Sequence, residues 1–198
     1  MERKNIILIG MPGAGKSTVG VILAKRTGFQ FIDTDLIIQA QEKSRLQQII
    51  DAQGLQNFRR IEEQMLLDLH TEHSVIATGG SVVYSEKGMK AIGHTGSLIY
   101  IQVSLSALHK RIADIGQRGL VMSKGQTFEQ LYQERTPLYE KFSQLTISGD
   151  GLTAEQIAAK IEKEVCLQWA NAGPLAITTG ECHKTGMGIC RSPMCSFR

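Results

Sequence analysis

Gly10-Met11-Pro12-Gly13-Ala14-Gly15-Lys16-Ser17-Thr18 stands close behind the first residue and decides how the rest of the chain is read. It fits the spacing G-x-x-x-x-G-K-[ST], with Gly10, Gly15, Lys16 and Ser17 at the defining positions. Glycines there let the backbone curl until successive N–H groups point inward at phosphate oxygens, and a lysine ammonium neutralises the outer phosphates. The Ser17 hydroxyl suits Mg²⁺, and a helix beginning here adds the positive end of its dipole. The flanks supply the context. Residues 5–9 form a short apolar run suited to a buried parallel strand, and 18–26 read as a helix with Gly28 just past its end. A strand, a glycine-rich turn and a helix in that order make a phosphate-binding loop rather than an ordinary turn.

Outward from the loop, strands are predicted at 30–32, 74–78, 97–103 and 145–148. Helices alternate with them over 44–53, 57–70, 86–92, 104–115, from 127 onward and from 153 to about 165. Capping-box patterns open the helices at Ser44-Arg45-Leu46-Gln47, Thr127-Phe128-Glu129-Gln130 and Thr153-Ala154-Glu155-Gln156. Pro137 is expected to kink or restart its helix. Alternation of this kind predicts an α/β fold, a five-stranded parallel sheet flanked by helices on both faces. Ligands of such sheets bind beyond the carboxyl ends of the strands. The second strand delivers Asp33-Thr34-Asp35 there, and the third ends in Gly79-Gly80-Ser81, where missing side chains admit a ligand or a close backbone. On the helix over 57–70, Phe58, Ile61, Met65 and Leu69 share one face. Arg59 and Glu62 form an i,i+3 pair beside it, of little worth as a surface salt bridge. Residues 116–126, with three glycines and Arg118, read as a surface loop long enough to act as a lid.

The chain has 198 residues, 42% hydrophobic and 21% charged, as in one globular α/β domain with some excess. A net charge of +3 without a basic block gives no case for a nucleic-acid or membrane surface. The apolar run after Met1-Glu2-Arg3-Lys4 is too short for a signal peptide, and no stretch approaches a membrane span. All four cysteines (Cys166, Cys182, Cys190, Cys195) lie in the last 33 residues, so the body needs no disulfide, and a cytoplasmic monomer is expected. The domain is expected to span residues 1–168. Residues 169–198 are expected to be a flexible tail, rich in glycine and cysteine and without apolar periodicity. Cys182, His183, Cys190 and Cys195 offer metal-ligand chemistry but lack the close Cys pair usual in zinc sites.

Taken together, these motifs resemble the shikimate kinases, small members of the nucleoside-monophosphate-kinase-like P-loop proteins. The resemblance runs from about Asn5 to Val165 and rests on the phosphate loop, Asp33-Thr34-Asp35, Phe58-Arg59 with Glu62, Thr78-Gly79-Gly80, Arg118, and Glu134-Arg135 with Pro137-Leu138-Tyr139. It implies P-loop kinase architecture with a lid, and ATP-dependent phosphorylation of a small hydroxy acid, shikimate to shikimate 3-phosphate in aromatic amino-acid biosynthesis. By resemblance, Gly13, Ala14, Gly15, Lys16, Ser17 and Thr18 hold the ATP phosphates, and Arg111 approaches the adenine side. Ser17 and Asp33 serve Mg²⁺. Asp35 meets the substrate hydroxyls and orients or deprotonates the attacking one. Arg59 and Arg135 clamp the substrate carboxylate, Gly79, Gly80 and Ser81 line its pocket, and Arg118 closes over the phosphates. Lys16, Asp35 and Arg118 thus form the expected catalytic set.

Two departures stand out. Ser81 occupies the place of a third glycine, where its side chain would intrude on the substrate wall or add a hydrogen bond to it. Gly119 follows the lid arginine where proline is usual. Both bear on the acceptor, so a kinase of another small hydroxy acid such as homoserine remains a second reading. A nucleotide-binding regulator without kinase activity is a third, opposed by retention of Lys16, Asp35 and the arginines.

Overall fold

The computed structural model describes residues 5–113, 121–122 and 125–171. Strands β1 (Asn5–Ile9), β2 (Gln30–Asp33), β3 (Ser74–Ala77), β4 (Gly96–Gln102) and β5 (Leu145–Ser148) form one parallel sheet in the order β2-β3-β1-β4-β5. β1 lies at the centre with every residue buried, which is why its sequence is continuously apolar after Asn5 instead of alternating. Burying each of its Ile and Leu side chains contributes about 1.5–3 kcal/mol. Asn5 is the polar exception and is satisfied: its Nδ2 donates to the Thr71 carbonyl at 2.8 Å, and its Oδ1 accepts from the Ser74 N–H at 3.1 Å.

The helices are α1 (Lys16–Thr27), α2 (Thr34–Glu42), α3 (Leu46–Gln53), α4 (Leu55–Asp68), α5 (Glu86–Thr95), α6 (Leu105–Ala113), α7 (Phe128–Phe142) and α8 (Ala154–Asn171). A 3-10 turn, Val82–Tyr84, joins β3 to α5. α1 packs against α8 and α4 against α5, over an apolar core drawn from all five strands.

Several boundaries differ from the sequence expectation, each for a local reason. α1 begins at Lys16, inside the phosphate loop, because Gly15 in the left-handed region (φ 95°) turns the chain directly into helix. α2 was not expected. It starts with no connecting loop after β2, capped by the Asp33 side chain, which accepts the Asp35 N–H at 3.0 Å. α3 starts one residue later than Ser44 would place it. Only half of a capping box forms, with Gln48 Oε1 accepting the Arg45 N–H at 3.0 Å, since an arginine side chain has no acceptor for the other half. α7 does not restart at Pro137. Arg135 and Tyr139, fully buried on either side of the proline, anchor both halves to the body and carry one helix through it. α8 continues past residue 168, with Trp169 stacked on Phe29 at 6.3 Å and its indole N–H on Ser97 Oγ at 3.2 Å.

The register aligns Asp33 with Ala77 and Ile9 with Tyr100. The phosphate loop after β1, the aspartates after β2 and the glycines after β3 therefore share the carboxyl edge of the sheet.

Candidate active site

Between β1 and α1 the loop turns on Gly10 (φ 145°) and Gly15. A Cβ at Gly10 would come within 2.7 Å of the Ile101 carbonyl oxygen, so only glycine fits there. Gly15 is the N-cap of α1 and supplies no side-chain acceptor, which leaves the first N–H groups of the helix for an anion. Lys16 folds back over the loop, its Nζ donating to the carbonyls of Gly10 at 2.7 Å and Met11 at 3.0 Å. An ammonium has three donors, so one remains for a phosphate oxygen. Burial lowers the Lys16 pKa to about 8; Asp35 and Asp33 oppose the shift, and Arg135 adds to it.

Beside the loop, a cleft of about 370 Å³ runs from Gly13, Ala14 and Thr18 past Arg111 to Leu152, Ala154 and Ile157. Arg111 spans it, donating to the Ala14 and Gly149 carbonyls, each at 3.3 Å. Sequence reasoning found Arg111 but missed the apolar wall that follows β5. The rule that ligands sit beyond strand ends, applied to the fifth strand, would have pointed to it.

Ser17 Oγ donates to Asp33 Oδ2 at 2.7 Å, while the other oxygen of the same carboxylate caps α2. A hydroxyl and a carboxylate side by side are hard oxygen donors. Two protein oxygens beside a phosphate site fit Mg²⁺, which keeps several waters and is shared with substrate phosphates. Among the described residues no group of three or more His, Cys, Asp or Glu is placed to hold a metal ion. Asp35 is pushed up to about 6, by burial first and by the Asp33 charge second, with Lys16 opposing.

The opposite wall is built by side chains. A Cβ on Gly79 would lie 2.6 Å from Asp35 Oδ1 and 2.8 Å from Glu62 Oε1, so the glycine lets two carboxyl groups close on one point. Gly80 meets both Pro12 of the phosphate loop and Arg135 Nη1 (each 3.0 Å from a Cβ built there), and its carbonyl accepts the Tyr139 hydroxyl at 2.6 Å. Ser81 is buried in ordinary helical backbone (φ −93°, ψ −7°), and its Oγ lies 2.6 Å from each Glu62 carboxyl oxygen.

The Arg59–Glu62 surface pair does not form. Glu62 is 2% exposed, because α4 turns Phe58, Glu62, Met65 and Leu66 inward on one face. Burial raises the Glu62 pKa to about 8, against the Ser81 hydrogen bond, which lowers it. Arg59 instead lies over the Tyr84 ring, its Cζ 3.9 Å from the centroid. Arg135 is fully buried, its Nε donating to Tyr84 Oη at 3.2 Å and its Nη2 to the Val121 carbonyl at 2.5 Å. Arg59 Nε and Arg135 Nη1 are buried without partners. Buried guanidinium donors left unpaired favour an anionic ligand. Sequence reasoning missed Tyr84, and no local signal marked it.

Arg118, like Cys182, His183, Cys190 and Cys195, lies outside the described residues. Of the expected lid, only Val121, Met122, Gly125 and Gln126 fall within them. Among the described residues no helix is long and apolar enough to cross a membrane.

The family described as Shikimate kinase matches residues 12–166 of the chain. A shikimate kinase of Thermodesulfovibrio yellowstonii is 37% identical over 164 residues, covering 81% of this chain and 94% of that protein. Shikimate kinase from Acinetobacter baumannii in complex with shikimate superposes with a TM-score of 0.78 at 28% identity, covering 83% of this chain and 94% of that one. Shikimate kinase from Aquifex aeolicus superposes with a TM-score of 0.69 at 26% identity, over 86% and 99% of the two chains.

Proposed function

Because the chain belongs to the shikimate kinase family, we propose that it transfers the γ-phosphoryl group of ATP to the 3-hydroxyl of shikimate. The observation that carries this reading is the meeting of the two walls at Gly79 and Gly80. There the Asp35 carboxylate, the Arg135 guanidinium and Pro12 of the phosphate loop come within contact of the same two glycines. A hydroxyl held at Asp35 would then face the phosphate loop, while the ring carboxylate would face the unpaired donors of Arg59 and Arg135.

In this mechanism Lys16 and the N–H groups from Gly13 to Thr18 bind the ATP phosphates. Arg111 with Leu152, Ala154 and Ile157 flanks the adenine. Ser17 and Asp33 would hold Mg²⁺, which when bound would neutralise charge on the phosphates. The shikimate hydroxyl oxygen bonds to the γ-phosphorus, the bond to the β–γ bridging oxygen breaks, and ADP leaves. Asp35 takes the hydroxyl proton; a carboxylate raised to about 6 is still ionised at neutral pH and is a better base than an ordinary aspartate. Arg118, by the family resemblance, would add its charge to the phosphates. The absence of cysteine from the first 165 residues supports a cytoplasmic setting, and we read the active unit as a monomer.

The test is ADP release across a panel of hydroxy acids. High kcat/KM for shikimate with none for homoserine supports the proposal. The reverse preference, or ATP turnover independent of any acid, overturns it.

A further inference from the structure

We infer that Tyr84 is a specificity-determining positioning residue, which holds the two arginines of the acceptor wall in the arrangement one planar carboxylate requires. The inference rests on the acceptor reading above and adds to it the side chain that sets the clamp.

Tyr84 touches both arginines, in two different ways. Its ring lies under the Arg59 guanidinium, with Cζ 3.9 Å from the centroid, and the Arg135 Cζ is 5.2 Å from the same centroid. Its phenol oxygen accepts the Arg135 Nε–H at 3.2 Å. One side chain therefore touches both forks, sharing the placing of Arg135 with the Val121 carbonyl that accepts its Nη2. The donors left over, Arg59 Nε and Arg135 Nη1, are buried and unpaired, so both await the same kind of acceptor.

The chemistry favours tyrosine over an acidic spacer. Two guanidinium groups this close repel, and a carboxylate between them would relieve the repulsion by using up their charge. An aromatic face attracts a cation through its quadrupole and leaves the charge available to a ligand. The hydroxyl accepts a hydrogen bond while uncharged; burial pushes its ionisation further up, the Arg135 hydrogen bond and charge oppose, and a hydrogen bond to Glu134 and its charge add to the rise. Glu62, three residues along α4 from Arg59, accepts the Ser81 hydroxyl; burial raises its pKa to about 8 against the pull of both arginines, so at neutral pH it is mostly uncharged and leaves their charge available. Tyr84 is itself fixed at the end of the short turn Val82–Tyr84, which begins next to Ser81. The residue that departs from glycine and the residue that sets the clamp belong to one structural unit.

The experiment compares the full chain with Tyr84→Phe and Tyr84→Leu, using shikimate and its carboxamide analogue as acceptors. Tyr84→Phe keeps the ring and loses the acceptor, and should raise the KM for shikimate about 5-fold. Tyr84→Leu loses both contacts and should raise it about 50-fold. In each variant the KM for ATP should move less than about 2-fold, because the nucleotide side is untouched. The decisive readout is the ratio of kcat/KM for shikimate to that for the carboxamide, which should fall about tenfold or more in Tyr84→Leu. A merely structural residue would lower both acceptors together and leave the ratio unchanged. A folded Tyr84→Leu with the wild-type ratio overturns the inference. If that variant does not fold, an unchanged shikimate KM in Tyr84→Phe overturns it instead. Wild-type failure on shikimate sinks the acceptor reading and this inference together, whereas an active wild type with unmoved variants sinks this inference alone.

Discussion

The nucleotide side of the cleft is made of backbone, and the acceptor side is made of side chains. On the first, nine consecutive residues from Gly10 to Thr18 form the loop, and Lys16 is the long side chain that folds back over it. On the second, Asp35 comes from α2, Arg59 and Glu62 from α4, Gly79 to Tyr84 from the segment after β3, and Arg135 and Tyr139 from α7. A loop built from main-chain N–H groups is specified chiefly by local φ and ψ, so its path survives the loss of its lysine even though the Gly10 and Met11 carbonyls then lose a donor. A wall of buried side chains depends on every member. Glu62, Ser81, Tyr84 and Arg135 are linked by hydrogen bonds or stacking, and removing one leaves others unsatisfied.

The largest effect that should separate the two sides is Arg135→Lys. An ammonium cannot replace a fork that reaches Tyr84, Val121 and the cleft at once, so kcat/KM for shikimate should fall by about 10³-fold. Steady-state kinetics with circular dichroism as the folding control measure this, and a loss under tenfold would break the contrast. Lys16→Met should come next. Loss of charge stabilisation in the transition state lowers kcat by about 10²-fold or more, while the variant stays folded, its thermal midpoint lowered only by the lost donor to the Gly10 and Met11 carbonyls. A near-normal rate in the folded variant would remove the phosphate-loop assignment.

Glu62→Gln sharpens the comparison through stability. With its folded pKa near 8, above its ordinary value of 4.5, Glu62 binds its proton more tightly in the folded state. Its contribution is fully present below about pH 4.5 and is lost as pH rises towards 8, at about 1.4 kcal/mol per unit. Urea midpoints taken from pH 5 to 8 should therefore fall with pH in the wild type more steeply than in Glu62→Gln. Parallel slopes would show that burial does not hold the proton. The smallest effect is expected from Ser81→Gly. The Ser81 hydroxyl is directed at Glu62, so kcat/KM for shikimate should change by about threefold or less. A switch of preference towards homoserine in either protein would contradict that geometry.

Sequence legibility follows the same division. The loop, the alternating elements and the aspartates at the end of β2 could be read because each rests on neighbours within a few positions. The glycine pair after β3 was legible as a close approach, though not what approaches it. Arg59 and Glu62 were read as a solvent-facing pair because periodicity shows that residues three apart are neighbours but not which way a charged one turns. Glu62 falls among Phe58, Met65 and Leu66 on the buried face of α4. α2 was invisible because its cap, Asp33, also ends a strand, and one residue at a junction carries two local meanings.

By itself, then, the amino-acid sequence determined the glycine-rich loop between β1 and α1, the α/β alternation and which charged residues, among those described, stand at the carboxyl edge of the sheet. Such features rest on local backbone preference and on spacings of a few residues. Only the tertiary structure decided that Ser81 faces Glu62 across 19 positions, and that Tyr84 lies between Arg59 and Arg135, bonded to the latter across 51. Contacts at such separations depend on how helices rotate as they pack on the sheet. That rotation is set by the whole core.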